Sequence, residues 1–345
     1  MKYKQKNKIL LENNVIVSKD KILNFRVLQK NIFFSKRFIY NKINQEKPLF
    51  YNRKSHIFPN YFANADSNFA DSDFVIFGVP YDKTSTFRKG SRYGPMDIRQ
   101  ASWNYEEYNM FNGKNIQSIK FCDYGDLDIK NERPEKMVQK VKNFTNKILN
   151  KKKFPIILGG EHSLTSGSTC AYRFEDIAVL YLDAHLDYRD KHQNEKYNHA
   201  CTLRRITDQI KVENIAVLGI RSAEKKEFYK AKKEKLFYKT SYDFKTEGIE
   251  KILKQTRDHL ERKKVYLTLD MDVIDPSFVP GVSTPEPFGI TPFDVIQILD
   301  CFSNQLIGFD VVETCPPFDN GEGALHAAKF VRFIMEKSII NNTNI

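Results

Sequence analysis

LYLDAHLDYRD, Leu180 to Asp190, joins an apolar run to a cluster of acids. With IAV before it, the run Ile177 to Leu182 reads as a strand buried on both faces, as a parallel sheet covered on two sides requires. Asp183, His185 and Asp187 then follow at every second position. Strand side chains alternate between faces, so an extended conformation carried past residue 182 would project all three to one side. On an exposed loop they would be a solvated polar tip. Directly after a buried strand they stand at a carboxyl end, where open α/β sheets gather their ligands.

The pattern recurs at two further strand ends. In TLDMDVIDP, Asp270 and Asp272 repeat the alternation, and PIILGG gives way to Glu161 and His162 after two glycines that suit a tight turn. So many carboxylates in one crevice would repel one another and suffer a severe loss of hydration. Positive charge must sit among them. His162, Asp183, His185, Asp187, Asp270 and Asp272 form an oxygen-rich set with two imidazoles, larger than one tetrahedral ion uses and free of thiolate. Two divalent ions, together roughly +4, match it, and manganese suits this mixture of ligands best.

Around these motifs the chain has a βα rhythm from about Phe74 onward. Strands are expected at 74–79, 119–124, 155–158, 177–183, 214–220, 235–240, 264–270 and 306–313. Met137, Val141, Phe144 and Ile148 recur at helical spacing, as do Ile249, Ile252, Leu253, Thr256 and Leu260. Thr291, Pro292 and Asp294 read as an N-cap, a first-turn proline and a first-turn acid. A last helix should carry Leu325, Ala328, Val331 and Met335 inward, and GSRYGPMDIR (90–99) reads as a glycine-rich turn feeding a helix with a structural role. There is no internal repeat and no linker rich in glycine and serine.

The formal charge of +12 over 345 residues invites an acidic partner, but its distribution argues otherwise. Residues 1–60 hold eleven lysines and three arginines against Glu12, Asp20 and Glu46, so the remainder is close to neutral. Residues 1–47 are therefore read as a solvated, disordered basic extension and residues 48–345 as one catalytic domain. A second class of reading, binding of nucleic acid or an anionic surface, rests on Phe25, Phe33, Phe34, Phe38 and Tyr40 interleaved with that charge. The five cysteines are widely spaced without a CxxC pair, no secretory signal is visible, and no apolar run approaches the ~20 residues of a membrane span. A cytoplasmic location is expected.

GGEHS (159–163), DAHLD (183–187) and LDMDVIDPSFVPG (269–281) resemble, in order and spacing, the three metal-binding signatures of the arginase/agmatinase ureohydrolase superfamily. GVPYD (78–82), GSRYGP (90–95) and DYGD (123–126) extend the likeness, which runs from about Pro48 to Met335. The resemblance implies a three-layer α/β/α domain with a mostly parallel eight-stranded sheet and a homo-oligomer, trimer or hexamer. It also implies a binuclear manganese cluster, with the six residues above as ligands. Carried over position by position, Glu313 in DVVETCPP binds the guanidinium, Thr284 in VSTPEP lines its pocket, and His199 in YNHACTLRR transfers protons; Ser283 replaces a glycine common in relatives. Asp187 or His199 would deliver a proton to the departing amine.

The reaction so implied cleaves a guanidino group to urea and an amine. The loop YRDKHQNEKYNHA (188–200) lacks the asparagine pattern of arginase-like members and is more similar to microbial agmatinases, so agmatine, giving putrescine and urea, is the expected substrate. Asp190 or Glu195 is expected to meet its distal ammonium, although Arg189 would favour an acidic tail such as that of guanidinobutyrate. Guanidinobutyrase, arginase and guanidinase are the alternatives within the family.

Overall fold

The computed structural model describes residues 59–172 and 176–338, so the reading of residues 1–47 lies outside the described residues. All eight expected strands form: β1 (Phe74–Val79), β4 (Phe121–Asp126), β5 (Phe154–Gly159), β6 (Ile177–Leu182), β7 (Ile215–Ile220), β8 (Phe237–Thr240), β9 (Lys264–Asp270) and β10 (Leu306–Val312). They build one sheet in the order β4-β1-β5-β10-β9-β6-β7-β8, and every pairing in it is parallel. Two short strands, β2 (Tyr108–Asn109) and β3 (Lys114–Asn115), form a separate antiparallel hairpin.

Alternation along β6 shows why the sheet is the middle of three layers. Ala178, Leu180 and Leu182 pack into one core cluster, with Ile98, Ile252, Ile298 and Val331 from helices on that face. Ile177, Val179 and Tyr181 pack into another on the opposite face, with Leu203, Ile206 and Ala231. A third cluster on Met137 and Val141 covers β1 and β5. β6 is thus apolar on both sides because both sides are roofed by helices.

The helices follow the sequence pattern with few surprises. Met137 and Val141 lie in α2 (Pro134–Leu149), the helix after α1 (Gly94–Ser102). Thr291 and Asp294 close a reciprocal capping box on the helix Pro292–Phe302, each side chain bonding the other's backbone N–H. In the last helix, Glu322–Ser338, Ala328, Val331 and Met335 are buried, but Leu325 is only half-buried, at the margin of the buried face.

GSRYGPMDIR carries more than a turn. Arg99, on α1, is 2 % exposed and grips Asp123 of β4 with two parallel hydrogen bonds, Nε to Oδ2 at 2.7 Å and Nη2 to Oδ1 at 2.9 Å, while Nη1 reaches Asp126. Asp123 Oδ2 also accepts the backbone N–H of Phe62 at 2.8 Å. Removing the cation leaves Asp123 buried and unpaired, so Arg99→Met should lower stability by about 3–5 kcal/mol. Calorimetric melting checks this, and an unchanged melting temperature would contradict it.

Two strand orderings matter for the site. The chain passes from β5 on one side to β6 on the other, and β9 and β10 later fill the gap between them. The carboxyl ends of β5, β6, β9 and β10 therefore surround one crevice where the direction of winding reverses, the usual place for a ligand in such sheets.

Candidate active site

Asp183 is the first residue past β6 and is fully buried. Its Oδ1 accepts the backbone N–H of His185 at 2.6 Å, and His185 itself bridges to Ser222 after β7. The extended conformation does not reach Asp187, contrary to the comb-like expectation. Asp187 has φ +48°, in the left-handed region, and the strained backbone redirects its carboxylate. There Tyr181 donates its hydroxyl to Asp187 Oδ2 at 3.0 Å, and its ring stacks on His162 with centroids 4.6 Å apart.

Gly159 and Gly160 serve close approach. A Cβ on Gly160 would lie 2.0 Å from the carbonyl oxygen of Tyr81, because Glu161 N–H donates to that oxygen at 2.7 Å. This contact draws the end of β5 against the loop after β1 and sets His162 facing β6 and β9. Its Nδ1 lies 3.0 Å from Asp183 Oδ2, 3.1 Å from Asp270 Oδ2 and 3.7 Å from Asp187 Oδ2.

His162, Asp183 and Asp270 form one group, and Asp183, His185 and Asp272 a second, with ligand atoms in each within 4.8 Å of one another. Asp183 belongs to both. His185 Nδ1 lies 2.9 Å from Asp272 Oδ2, and Asp272 Oδ1 accepts the N–H of Ala184 at 3.1 Å. Asp187 falls outside both groups and flanks the first.

The electrostatics show what is wanted there. Burial disfavours charge on His162 and His185, yet the surrounding aspartates hold both imidazoles well above their usual range. Burial first, then neighbouring carboxylates, push Asp187 and Asp270 well up, whereas the two imidazoles hold Asp183 below the carboxylate range against its burial. Protons thus gather where positive charge is short. Among the described residues, Glu313 Oε2 accepts no hydrogen bond and Asp183 Oδ2 faces only the His162 imidazole at 3.0 Å. A buried, unpartnered carboxylate oxygen amid hard nitrogen and oxygen donors fits divalent ions.

Glu313 follows β10 at φ +63°, which turns its carboxylate back to accept the N–H of His162 on Oε1 at 2.8 Å. Burial, then the charge of Glu161, raise it to about 8. His199 is anchored by Thr84, whose hydroxyl donates to Glu161 Oε1 at 2.7 Å and accepts the His199 backbone N–H at 3.0 Å. That oxygen lies 3.2 Å from His199 Nδ1, so its spent proton makes it an acceptor and assigns the ring hydrogen to Nδ1. Burial, then the imidazoles of His192, His185 and His162, bring His199 down to about 3, leaving a neutral ring with Nε2 unprotonated.

A cavity of about 210 Å³ opens onto these groups, lined by His162, His185, Asp187, His199, Thr284, Glu313 and others. Neither Asp190 nor Glu195 lines it. Asp190 is turned out to Arg205 at 2.9 Å, and Glu195 caps its own loop through Tyr197 N–H at 2.9 Å. The acid on the outer wall is Glu227, buried at the start of the helix Lys225–Lys233, and Arg189 on the same wall lies 3.7 Å from it. The stretch KKEFYKAKK reads as a solvated helix, which hid Glu227. Tyr181 was hidden because it reads as one more apolar strand residue.

Residues 72–336 match the arginase family. The chain belongs to the arginase family. Among curated relatives, an agmatinase of Bacillus anthracis is 34% identical over 277 residues, covering 79% of this chain and 93% of the relative. An N(1)-aminopropylagmatine ureohydrolase of Thermococcus kodakarensis is 33% identical over 262 residues, covering 75% and 88%. The crystal structure of the agmatine ureohydrolase of Thermoplasma volcanium superposes with a TM-score of 0.79 at 36% identity, covering 84% of this chain and 98% of that one. The arginase-family fold and two groups of histidine and aspartate that could hold metal ions therefore stand together in this chain. No helix among the described residues is long and apolar enough to cross a membrane.

Proposed function

We propose that this ureohydrolase cleaves agmatine to putrescine and urea with two manganese ions per chain. The reading is carried by one juxtaposition: two histidine–aspartate groups sharing Asp183 beside the unpartnered Oε2 of Glu313 in one small cavity. His162, Asp183 and Asp270 would hold one ion and Asp183, His185 and Asp272 the other, with Asp187 flanking the first. Bound there, the ions supply a water made acidic enough to attack at neutral pH.

The chain's own groups do the rest. Glu313 Oε2 accepts the guanidinium by a charge-assisted hydrogen bond, while Oε1 stays anchored on His162 N–H. That fixes the guanidinium carbon over the aspartates and converts an encounter into an aligned attack. Thr284 closes the pocket wall. As the carbon becomes tetrahedral and the C–N bond to the alkylamine breaks, the amine needs a proton. His199 Nε2 carries it there from Asp187 or solvent, since the ring's hydrogen is committed to Thr84 through Nδ1.

Support for agmatine comes from the agmatinase relatives, and Glu227 adds an acid to the cavity wall, although its carboxylate also accepts the N–H groups of Glu224 and Tyr188. Arg189 favours the second reading, a carboxylate tail, but it already faces Glu224 and Glu227 at 3.7 Å each and lies 3.0 Å from His192 Nδ1. Urea release from manganese-loaded protein should be most efficient, by kcat/KM, with agmatine among agmatine, N1-aminopropylagmatine, arginine and guanidinobutyrate. Preference for guanidinobutyrate would move tail recognition to Arg189, and no urea from any of them would overturn the reading.

A further inference from the structure

Beneath His162 lies a buried polar chain that the reaction does not touch. His162 Nε2, on the side of the ring away from Asp183 and Asp270, is 2.9 Å from Thr268 Oγ1. Thr268 in turn donates its hydroxyl hydrogen to Asp310 Oδ1. Asp310 Oδ2 accepts two more hydroxyls, from Tyr266 at 2.6 Å and Thr165 at 3.0 Å. Thr165, Tyr266, Thr268 and Asp310 are all fully buried, and Asp310 forms no ion pair among the described residues.

A buried carboxylate held by three hydroxyls and no cation is an expensive arrangement for a core, so its effect on neighbours matters. A threonine hydroxyl has one hydrogen. Because Asp310 takes it, the Thr268 oxygen turns its lone pairs to His162 and can only accept there. The ring hydrogen on Nε2 is thereby committed to Thr268, and Nδ1 is the nitrogen left to face Asp183 and Asp270 and to take an ion there. We infer that Asp310, acting through Thr268, is a positioning residue that selects the metal-binding tautomer and orientation of His162.

Topology explains how two distant residues form this relay. Asp310 on β10 and Thr268 on β9 are register partners in adjacent parallel strands. Thr268 lies two residues before Asp270, on the same face and one pleat deeper. Asp310 stands three residues before Glu313. Each strand thus offers one group to the cavity and one to the layer below it. Groups of this kind, behind a ligand histidine, typically alter metal affinity by about 10–100-fold when removed.

The inference rests on the two-ion reading above, and manganese titration calorimetry separates the two. Wild-type protein binding no manganese would remove that reading itself. With wild-type protein binding two ions, Asp310→Ala and Thr268→Val should each weaken one of the two binding events by about 10–100-fold. Thr268→Ser, which keeps the hydroxyl, should bind as wild type. Combining Asp310→Ala with Thr268→Val should weaken binding no further than either alone, since both break one relay. A merely structural role would lower the melting temperature of ion-free protein and leave the affinity of the folded variants unchanged. Folded Asp310→Ala with wild-type affinity at both positions would overturn the inference. Should that variant fail to fold, wild-type affinity in Thr268→Val would overturn it equally.

Discussion

Replacing Asp183 by asparagine is expected to empty both ion positions and abolish urea release, while the ion-free fold remains standing. Asp183 is the one residue common to both groups, so its charge serves two ions at once. Asparagine keeps an oxygen for the His185 N–H, the 2.6 Å bond that orders the strand end. It also removes a carboxylate that, after burial, helps push Asp187 and Asp270 up in the ion-free state, which relieves repulsion there. Melting with and without manganese separates these effects. At a hundredfold excess over Kd, an ion bound only by the native state adds about 2.7 kcal/mol of stability. Wild type should gain at least that, and the variant nothing. An Asp183→Asn protein that retained two ions and full turnover would refute the shared-ligand assignment.

Glu313→Gln should behave in the opposite way, sparing the ions and losing the substrate. Glutamine still offers an oxygen to His162 N–H, where Glu313 Oε1 now accepts at 2.8 Å. Its amide, however, would present hydrogens where Oε2 stands without a partner, and these face the guanidinium's own hydrogens. Losing one side of a buried charge pair costs about 2–5 kcal/mol, so kcat/KM should fall by roughly 30- to 5,000-fold. Manganese stoichiometry by elemental analysis should stay at the wild-type value. Equal loss of metal and turnover would place Glu313 with the ligands, and unchanged turnover would remove it from the site.

Much of this architecture can be read from single strands. A parallel strand roofed on both sides is apolar on both sides, and runs such as IAVLYL and KVYLTL declare themselves without knowledge of their neighbours. The acids that end them declare the site for the same reason, since burial makes their presence costly unless something compensates. What stayed hidden depends on register and backbone strain. Asp310 matters because it lies beside Thr268, forty-two positions away in sequence, and nothing in DVVE announces that pairing. Asp187 and Glu313 reach their places through left-handed backbone that an alternating pattern cannot express. Glu227 sits in a lysine-rich helix whose sequence looks wholly solvated, and only the turn of that helix toward Arg189 makes it part of the cavity wall. Asp190 and Glu195, nearer in sequence, are claimed by Arg205 and by a local loop.

Anomalous diffraction at the manganese edge, from crystals of active protein, would show whether Asp183 is shared between two ions. Two peaks are expected, one among His162, Asp183 and Asp270 and one among Asp183, His185 and Asp272, with Asp183 touching both. Active crystals with no peak among these residues, or with a single ion that leaves Asp183 unshared, would contradict that sharing.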